Sequence, residues 1–302
     1  MAMKVPQPIP YQGSKRLLAP LITKYFPERM ERLIEPFAGS AAVSIYTAKK
    51  FKSTKFLLND INKPLINLLR DIIFNPHILS DKYELLWNEQ IGNEKEYFIN
   101  IRNEFNKNQQ SHYLLYLMAR CIKGAIRYNS NGEFNQSSDN RRKGKNPITM
   151  RKEILEISSY LKYRTELFST DYSKIFKLAT KTDLIYMDPP YQGTSKTKDP
   201  RYYSGIDFTK FINDMEYLNH FDKPFILSYD GKTGCKIYGK ELPKSLMLHK
   251  ISVEVGRSTQ STLLGGREIT FESLYLSDSL AQLLPNSVPD HISIRPKQLS
   301  LL

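Results

Sequence analysis

The sequence predicts an α/β protein with a doubly wound, mostly parallel sheet. Short apolar segments that favour strands lie at residues 33–34, 55–58 and 184–187, and a helix-compatible segment at 41–50 separates the first two. A strand, a helix and a second strand in this order form a βαβ unit, whose strands are parallel. The chain of 302 residues is also long enough for one large domain with an insertion.

Further helices are predicted where apolar residues recur at helical spacing. They fall within residues 64–105, at 111–123 and from about 151 to 163. Between the last two, residues 128–147 are rich in Asn, Ser, Gly and Arg and lack apolar periodicity. This composition predicts an exposed loop or hairpin.

Further strands are predicted in the second half of the chain. Residues 167–171 have the character of a strand end, and residues 225–228 that of a buried strand. The segments 251–255 and 269–276 are expected to form a final antiparallel pair at a sheet edge. The residues from 278 onward are expected to form a short tail.

The net charge of +13 is large for this length and is unevenly distributed. Residues 120–164 contain eleven Lys or Arg and four acidic residues, a net charge of +7 in 45 positions. Such a dense basic segment favours a polyanionic partner, because Lys and Arg release counterions from phosphate backbones.

Other compositional features argue against several classes of protein. Cys121 and Cys235 lie far apart and the five histidines show no ligand spacing, so we expect neither a disulfide framework nor a metal site. No uncharged apolar run reaches the ~18 residues that a membrane span requires, and no signal peptide is expected. The resulting expectation is a cytoplasmic protein.

The most informative segment is an apolar strand that runs into Asp188-Pro189-Pro190-Tyr191. The prolines end the strand because they cannot donate to its hydrogen-bond ladder. The Asp188 carboxylate then lies at the carboxyl end of a strand, where open α/β sheets bind ligands. With the Pro189 carbonyl as a second acceptor and Tyr191 as a stacking surface, the segment suits a planar exocyclic amine. The alternative is that the prolines merely end a strand and that Asp188 caps the next element of the chain.

Two earlier segments suit a nucleoside ligand. Residues 35–40 place a turn of small residues between a strand and a helix, and Asp60 follows Gly39 by 21 residues. In dinucleotide-binding folds an acidic residue at about this distance bonds ribose hydroxyls. The turn has a single glycine, which favours a nucleoside without a diphosphate. Residues 11–15 add an aromatic ring and a lysine, although each segment alone is also compatible with an ordinary turn or a solvated loop.

Five segments resemble, in the same order, the Dam-type (D12 class, alpha group) DNA adenine-N6 methyltransferases. They are residues 10–15, 35–40, 59–62, 127–135 and 188–191. The resemblance implies a Rossmann-like S-adenosylmethionine-dependent methyltransferase fold, with a catalytic domain at 1–75 and 166–278. It also implies an inserted, mainly helical target-recognition domain at 76–165 that binds DNA, followed at the end of the chain by a tail at 279–302.

The resemblance also implies roles for individual residues. Seven would contact or surround S-adenosylmethionine: Tyr11, Lys15, Phe37, Gly39, Asp60, Asp171 and Asp188. Among them, Phe37 and Gly39 would line the pocket, and Asp171 would lie near the cofactor adenine. Position 11 is Tyr where some relatives have Trp, and beyond residues 134–135 the chain departs from the family pattern, which leaves the details of DNA recognition open.

The resulting hypothesis is methyl transfer from S-adenosylmethionine to N6 of adenine in duplex DNA. Asp188 and the Pro189 carbonyl would accept both amine hydrogens and aim the nitrogen lone pair at the methyl group, while Pro190 restricts the backbone. The target base would flip out of the duplex and stack on Tyr191.

The basic segment supplies the predicted DNA contacts. Phosphate contacts are expected from Arg120, Lys123, Arg127, Arg141, Arg142, Lys143 and Lys145. The side chains of Arg120, Asn129 and Asn135 are also suited to base edges. For each of these residues the alternative is a solvated charge or an Asn that stabilises a turn.

Other functions remain open at this point. N4-cytosine methylation uses the same amine chemistry, RNA is an alternative substrate, and a non-catalytic DNA-binding protein could retain the fold. A nicotinamide oxidoreductase is disfavoured by the missing glycines. The expected partners are double-stranded DNA and, within a restriction-modification system, a cognate restriction endonuclease. The expected state is a monomer or weak dimer without membrane contact.

Overall fold

The computed structural model describes residues 5–139, 141–190, 206–233, 236–257, 269–285 and 291–293. Within these residues nine strands form one sheet, and their bounds are β1 (Arg32–Glu35), β2 (Lys55–Asn59), β3 (Thr165–Phe168), β4 (Leu184–Met187), β5 (Phe225–Thr233), β6 (Lys236–Tyr238), β7 (His249–Arg257), β8 (Ile269–Leu276) and β9 (His291–Ser293). The strand order is β3-β2-β1-β4-β5-β8-β7-β9, and β6 pairs with β5.

The first five strands of this order are parallel, which confirms the predicted doubly wound, mostly parallel sheet. Their side chains alternate between two buried clusters, so that Leu184 and Tyr186 of β4 face one cluster while Ile185 and Met187 face the other. Because successive side chains of a strand point to opposite faces, this alternation places apolar layers on both sides of the sheet.

The helices that cover the two faces are α1 (Ala19–Ile22), α2 (Ala42–Lys50), α3 (Lys63–Phe74), α4 (Pro76–Glu89), α5 (Glu94–Asn108), α6 (Ser111–Arg120), α7 (Pro147–Leu161), α8 (Tyr172–Leu178), α9 (Phe208–His220) and α10 (Asp278–Ala281). Helices α8 and α9 pack on one face, and α1 to α7 contribute to the cluster on the other. Within the described ranges no helix combines the length and the hydrophobicity that crossing a bilayer requires.

Side-chain caps set several helix starts. The Asn62 side chain accepts a hydrogen bond from the backbone N–H of Leu65 at the start of α3, and Asn146 does the same for Ile148 in α7. Each of these caps is followed closely by a proline, which suits the first turn of a helix. For this reason α7 begins at Pro147, four residues before the predicted start.

The segment between α3 and β3 contains α4 to α7 and a loop that connects α6 to α7. Two isolated bridges order this loop, Tyr128 with Phe134 and Cys121 with Ser138. The apolar residues of these helices belong to the same buried cluster as those of α2 and α3. The predicted domain boundary at 75/76 coincides with the start of α4, whereas that at 165/166 falls after the first residue of β3. The division into domains stays a prediction.

The carboxyl-terminal strands differ in one respect from expectation. β7 and β8 pair antiparallel, as predicted, but β8 lies between β5 and β7, and β9 pairs parallel with β7. The predicted edge pair therefore lies inside the sheet. The predicted tail contributes most of α10 and the whole of β9.

Candidate active site

A cavity of about 340 Å³ opens at the carboxyl ends of the parallel strands. All seven residues predicted for the cofactor line it, together with Pro189 and Pro190. Segments far apart in sequence are thus brought to one place, because the carboxyl ends of parallel strands share one edge of the sheet.

Gly39 forms the floor of the turn between β1 and α2. Its backbone N–H donates to Oδ2 of Asp60 at 3.0 Å, and the N–H of Asn62 donates to Oδ1 at 2.9 Å. Gly39 has a φ of +50°, and a Cβ at this position would lie 3.1 Å from the ring of Tyr11. Burial raises the pKa of Asp60, while the two backbone hydrogen bonds oppose that rise.

Phe37 and Tyr172, which both line the cavity, belong to an aromatic cluster. The ring of Phe37 lies 5.1 Å from that of Tyr172, and both rings also contact Phe211. Tyr172 and Lys210 line the cavity as well, and neither was predicted from the sequence. Their signal was weak, since the first is one of 19 tyrosines and the second belongs to an exposed helix face.

Asp171 caps α8 at the mouth of the cavity. Its Oδ1 accepts a hydrogen bond from the N–H of Ser173 at 2.9 Å, and Lys210 Nζ lies 3.0 Å away. Partial burial raises the pKa of Asp171, but the hydrogen bonds from Ser173 and the Lys210 ammonium outweigh it, so the pKa lies below its usual value. Asp171 is therefore held as a carboxylate.

Asp188 lies directly after β4, as predicted, and forms an ion pair with Lys15. Lys15 Nζ is 3.0 Å from Oδ1 of Asp188 and 3.5 Å from Oε2 of Glu272. Burial raises the pKa of Asp188, the Lys15 ammonium lowers it, and the nearby Glu272 carboxylate raises it again. Sequence reasoning missed Glu272, which lies in β8 and carries no motif.

Two buried polar residues hold the turns around Asp188. Glu35 accepts a hydrogen bond from the N–H of Ser44 at 2.7 Å, and burial raises the pKa of Glu35 to about 8. Asn59 donates to the carbonyls of Pro36 and Thr170 and accepts from the N–H of Thr170, each at 2.9–3.0 Å. Both residues lie within the quoted sequence segments, but no role was assigned to them.

The rest of the catalytic segment is described in part. Pro189 is buried and Pro190 is half-buried, and both face the cavity. Tyr191, predicted to stack on the target base, lies outside the described residues.

Most of the residues predicted to contact DNA lie on the surface of the segment between α3 and β3, called here the inserted segment. Arg127, Asn135, Arg141, Arg142 and Lys143 are exposed. Asp139 pairs with both Arg141 and Arg142, and Lys143 pairs with Glu94. The side chain of Lys123 lies outside the described part of the chain.

Two further residues predicted to contact DNA, Lys145 and Asn129, have side chains that bond other residues of this protein. Lys145 is half-buried and bonds Glu153 and the carbonyl of Gln7. Asn129 accepts hydrogen bonds from the N–H groups of Asn131 and Glu133 and donates to the Glu133 carboxylate. Asn129 thereby stabilises a turn, which is the alternative that the sequence left open.

Arg120 is a correction to the predicted contacts. The residue is 1% exposed, and its guanidinium donates to the carbonyl oxygens of Arg142 and Glu94. A phosphate or base edge does not reach a guanidinium enclosed in this way. Arg120 instead holds the basic loop against α5 from the inside.

The chain was compared with known proteins. A family model described as D12 class N6 adenine-specific DNA methyltransferase matches residues 11–258. The Type II methyltransferase M1.LlaDCHI of Lactococcus lactis subsp. cremoris is 28% identical over 267 residues, which cover 84% of this chain and 90% of the relative. The retron Ec67 DNA adenine methylase of Escherichia coli is 30% identical over 224 residues, which cover 72% of this chain and 75% of the relative. A DNA adenine methylase of Vibrio cholerae is 30% identical over 203 residues, which cover 66% of this chain and 70% of the relative.

These matches confirm the resemblance carried by the five sequence segments. The family acts on DNA and requires a methyl donor, and its specificity for N6 of adenine decides against N4 of cytosine. The matched region runs from the Tyr11 side of the cavity, past Lys210, to the end of β7. The protein is therefore a member of the D12 class N6 adenine-specific DNA methyltransferases.

Proposed function

We propose that the cavity binds S-adenosylmethionine as the methyl donor and that Asp188 presents the adenine amine to it. The observation that carries this proposal is that one cavity gathers seven residues from the three cofactor segments, the α8 cap and the catalytic segment. When bound, S-adenosylmethionine supplies an electrophilic methyl group on a sulfonium sulfur, which is left as a neutral thioether.

The residues present fit this donor. The carboxylate of Asp60, already oriented by two backbone N–H groups, suits ribose hydroxyls. Tyr11 and Phe37 offer aromatic faces, and Gly39 lets a ligand approach the backbone where a side chain has no room. Asp171, held ionised by its hydrogen bonds from Ser173 and Lys210, is suited to accept a hydrogen from an adenine amine.

Asp188 and the Pro189 carbonyl would then orient the substrate. The lone pair of an adenine amine is delocalised into the ring, so the nitrogen is a poor nucleophile. Two acceptors that bond both of its hydrogens favour a pyramidal nitrogen, and holding them rigidly removes the cost of orienting them during the reaction. Once N6 has gained the methyl group, its surplus proton can pass to Oδ1 of Asp188.

The substrate is proposed to be duplex DNA with the target base flipped out. An amine inside a base-paired stack does not reach a cavity at a sheet edge, so extrusion of the base is required. The exposed arginines of the inserted segment support contacts with DNA phosphates. A duplex with 2-aminopurine at the target position should become more fluorescent on binding, and an unchanged signal would contradict flipping.

The catalytic assignment is tested with Asp188→Asn. The variant keeps the shape of the side chain but loses the charge that attracts the amine hydrogens. We expect duplex binding to stay within about twofold and methylation to fall by at least about a thousandfold. Nucleoside analysis of the treated DNA measures the product as 6-methyladenine, and normal turnover by the variant contradicts the proposed role.

The biological setting is proposed from the names of the relatives. Some are Type II methyltransferases and others are DNA adenine methylases, so a cognate restriction endonuclease and action without one are both compatible. Modification-sensitive sequencing of DNA from cells that express the protein or Asp188→Asn identifies the methylated sequence. A native extract that cuts only unmethylated copies of that sequence supports the endonuclease. Sedimentation tests the expected monomer or weak dimer.

A further inference from the structure

Lys15 lies between two carboxylates from distant parts of the chain. Its Nζ is 3.0 Å from Oδ1 of Asp188 and 3.5 Å from Oε2 of Glu272. The Lys15 side chain is 7% exposed and that of Glu272 is 26% exposed. One ammonium is thus shared by two acidic side chains in the wall of the site.

The position of the Lys15 ammonium affects methyl transfer, and this step rests on the function proposed above. While Lys15 bonds Oδ1 of Asp188, the ammonium and the adenine amine compete for the same oxygen, and the charged donor is the stronger of the two. Glu272 offers the ammonium a second position nearby. Its Oε2 is buried and has no hydrogen-bond partner among the residues that the structure describes. A buried oxygen in this state favours the approach of a donor.

The backbone that carries Glu272 is held close to β5. The register between the two strands shifts between Tyr229 and Gly231, and Gly231 lies opposite Glu272. A Cβ on Gly231 would lie 2.9 Å from the carbonyl oxygen of Phe271. The strands therefore approach at a distance that only glycine permits, which places the Glu272 carboxylate within reach of Lys15.

We propose that Glu272 is a positioning residue for methyl transfer, which takes over the Lys15 ammonium when the adenine amine arrives and leaves Oδ1 of Asp188 to the amine. The ammonium moves between two carboxylates without transferring its proton, so the charges of the three groups are unchanged. Glu272 acts through Lys15 and touches neither adenine nor the methyl donor.

The test compares Glu272→Gln with Glu272→Asp in single-turnover methylation of a duplex that contains the sequence identified above. The Gln variant keeps the shape but loses the negative charge that attracts the ammonium, so the maximal rate should fall about tenfold while the dissociation constant of the duplex stays unchanged. The Asp variant should recover most of the rate. Glu166→Gln, which removes an exposed carboxylate from β3, is the matched control and should keep the full rate.

The pH profile separates this role from a structural one. Asp188 accepts the amine hydrogen as a carboxylate, so the rate falls as the pH drops through its pKa. Lys15, Glu272, Glu35 and Tyr186 are the titratable groups that act on Asp188. The charge of Glu272 raises that pKa, so its removal should move the acidic limb to lower pH even though the plateau falls. Poor folding lowers the plateau and leaves the limb in place.

A structure of the enzyme bound to the duplex gives an independent readout. We expect Lys15 Nζ closer to Glu272 than to Asp188. An ammonium that remains on Oδ1 of Asp188, or a Glu272→Gln variant with the full rate and an unmoved acidic limb, overturns the proposal. Asp188→Asn tests the proposed function separately. Normal methylation by that variant overturns the proposed function, whereas normal methylation by Glu272→Gln alone overturns only the role of Glu272.

Discussion

Gly39 is the residue at which backbone geometry and ligand binding are most tightly linked. Its φ of +50° is unfavourable for a side chain, and a Cβ would lie 3.1 Å from the Tyr11 ring. Gly39→Ala should displace Tyr11 and weaken S-adenosylmethionine binding by about tenfold or more, because strain of roughly 1–2 kcal/mol is added at the cavity floor. Isothermal titration measures this change.

The matched control for Gly39→Ala is Gly92→Ala. Gly92 also has a positive φ, +91°, but nothing lies within 4 Å of a Cβ there. That variant should lose some stability and bind S-adenosylmethionine normally. Equal losses of affinity in both variants would show that strain alone, and not the contact with Tyr11, is responsible.

Glu35 makes stability depend on pH. Its pKa is raised from 4.5 to about 8 by burial, so the folded state binds a proton that the unfolded state has lost at neutral pH. The stabilisation is complete below the unfolded pKa and is lost as the pH rises through the folded one, at up to about 1.4 kcal/mol per pH unit. Between pH 5.5 and 9 the melting temperature should therefore fall more steeply with pH for the native protein than for Glu35→Gln. An equal dependence of the melting temperature on pH in the two proteins would contradict this assignment.

At the scale of elements, Arg164 joins the end of α7 to the end of α2. Its guanidinium donates to the carbonyl oxygens of Tyr160, Ala48, Phe51, Lys52 and Thr54. The last carbonyls of a helix lack partners within it, and one planar side chain satisfies several of them here. Arg164 thereby connects the end of α7 to the end of α2 and to the residues that follow α2.

Arg164→Ala should lower the free energy of unfolding by about 2–4 kcal/mol, since several partly buried carbonyls lose a charged donor. Denaturant titration measures the loss. Lys162→Ala, an exposed neighbour, should change stability by less than about 0.5 kcal/mol. A similar effect of both substitutions would argue against the bonds made by Arg164.

The elements also differ in how far the sequence could predict them. β4 has the predicted bounds, because a buried apolar run stopped by two prolines leaves few alternatives. The seven cofactor residues share one cavity because the order of βαβ units dictates which strand ends meet. The burial of Arg120, the bulge beside Gly231 and the position of β9 depend on contacts between distant segments, and local pattern does not contain them.

At the scale of the whole molecule, the excess positive charge should control DNA affinity. Arg141 and Arg142 remain well exposed although each pairs with Asp139, and Lys143 is exposed beside Glu94. Replacing all three by Ala should reduce the slope of log affinity against log salt by about 0.9 for each DNA phosphate that the variant no longer neutralises. Fluorescence anisotropy over a salt series measures the slope.

Two exposed lysines of α8, Lys174 and Lys177, provide the control for that experiment. They lie outside the basic segment, so their replacement by Ala should leave the slope unchanged. An equal effect of the two sets of substitutions would mean that charge acts over the whole surface rather than through the inserted segment.

The trio of Lys15, Asp188 and Glu272 joins the beginning, the middle and the last third of the chain. During synthesis, Lys15 and Asp188 leave the ribosome long before β8 does. A growing chain contains the first two before it contains the third, which is added only when translation has passed Glu272. On the role proposed for Glu272, methylation therefore requires β8 in addition to the segments that carry Lys15 and Asp188, and a product truncated before β8 should not methylate DNA efficiently.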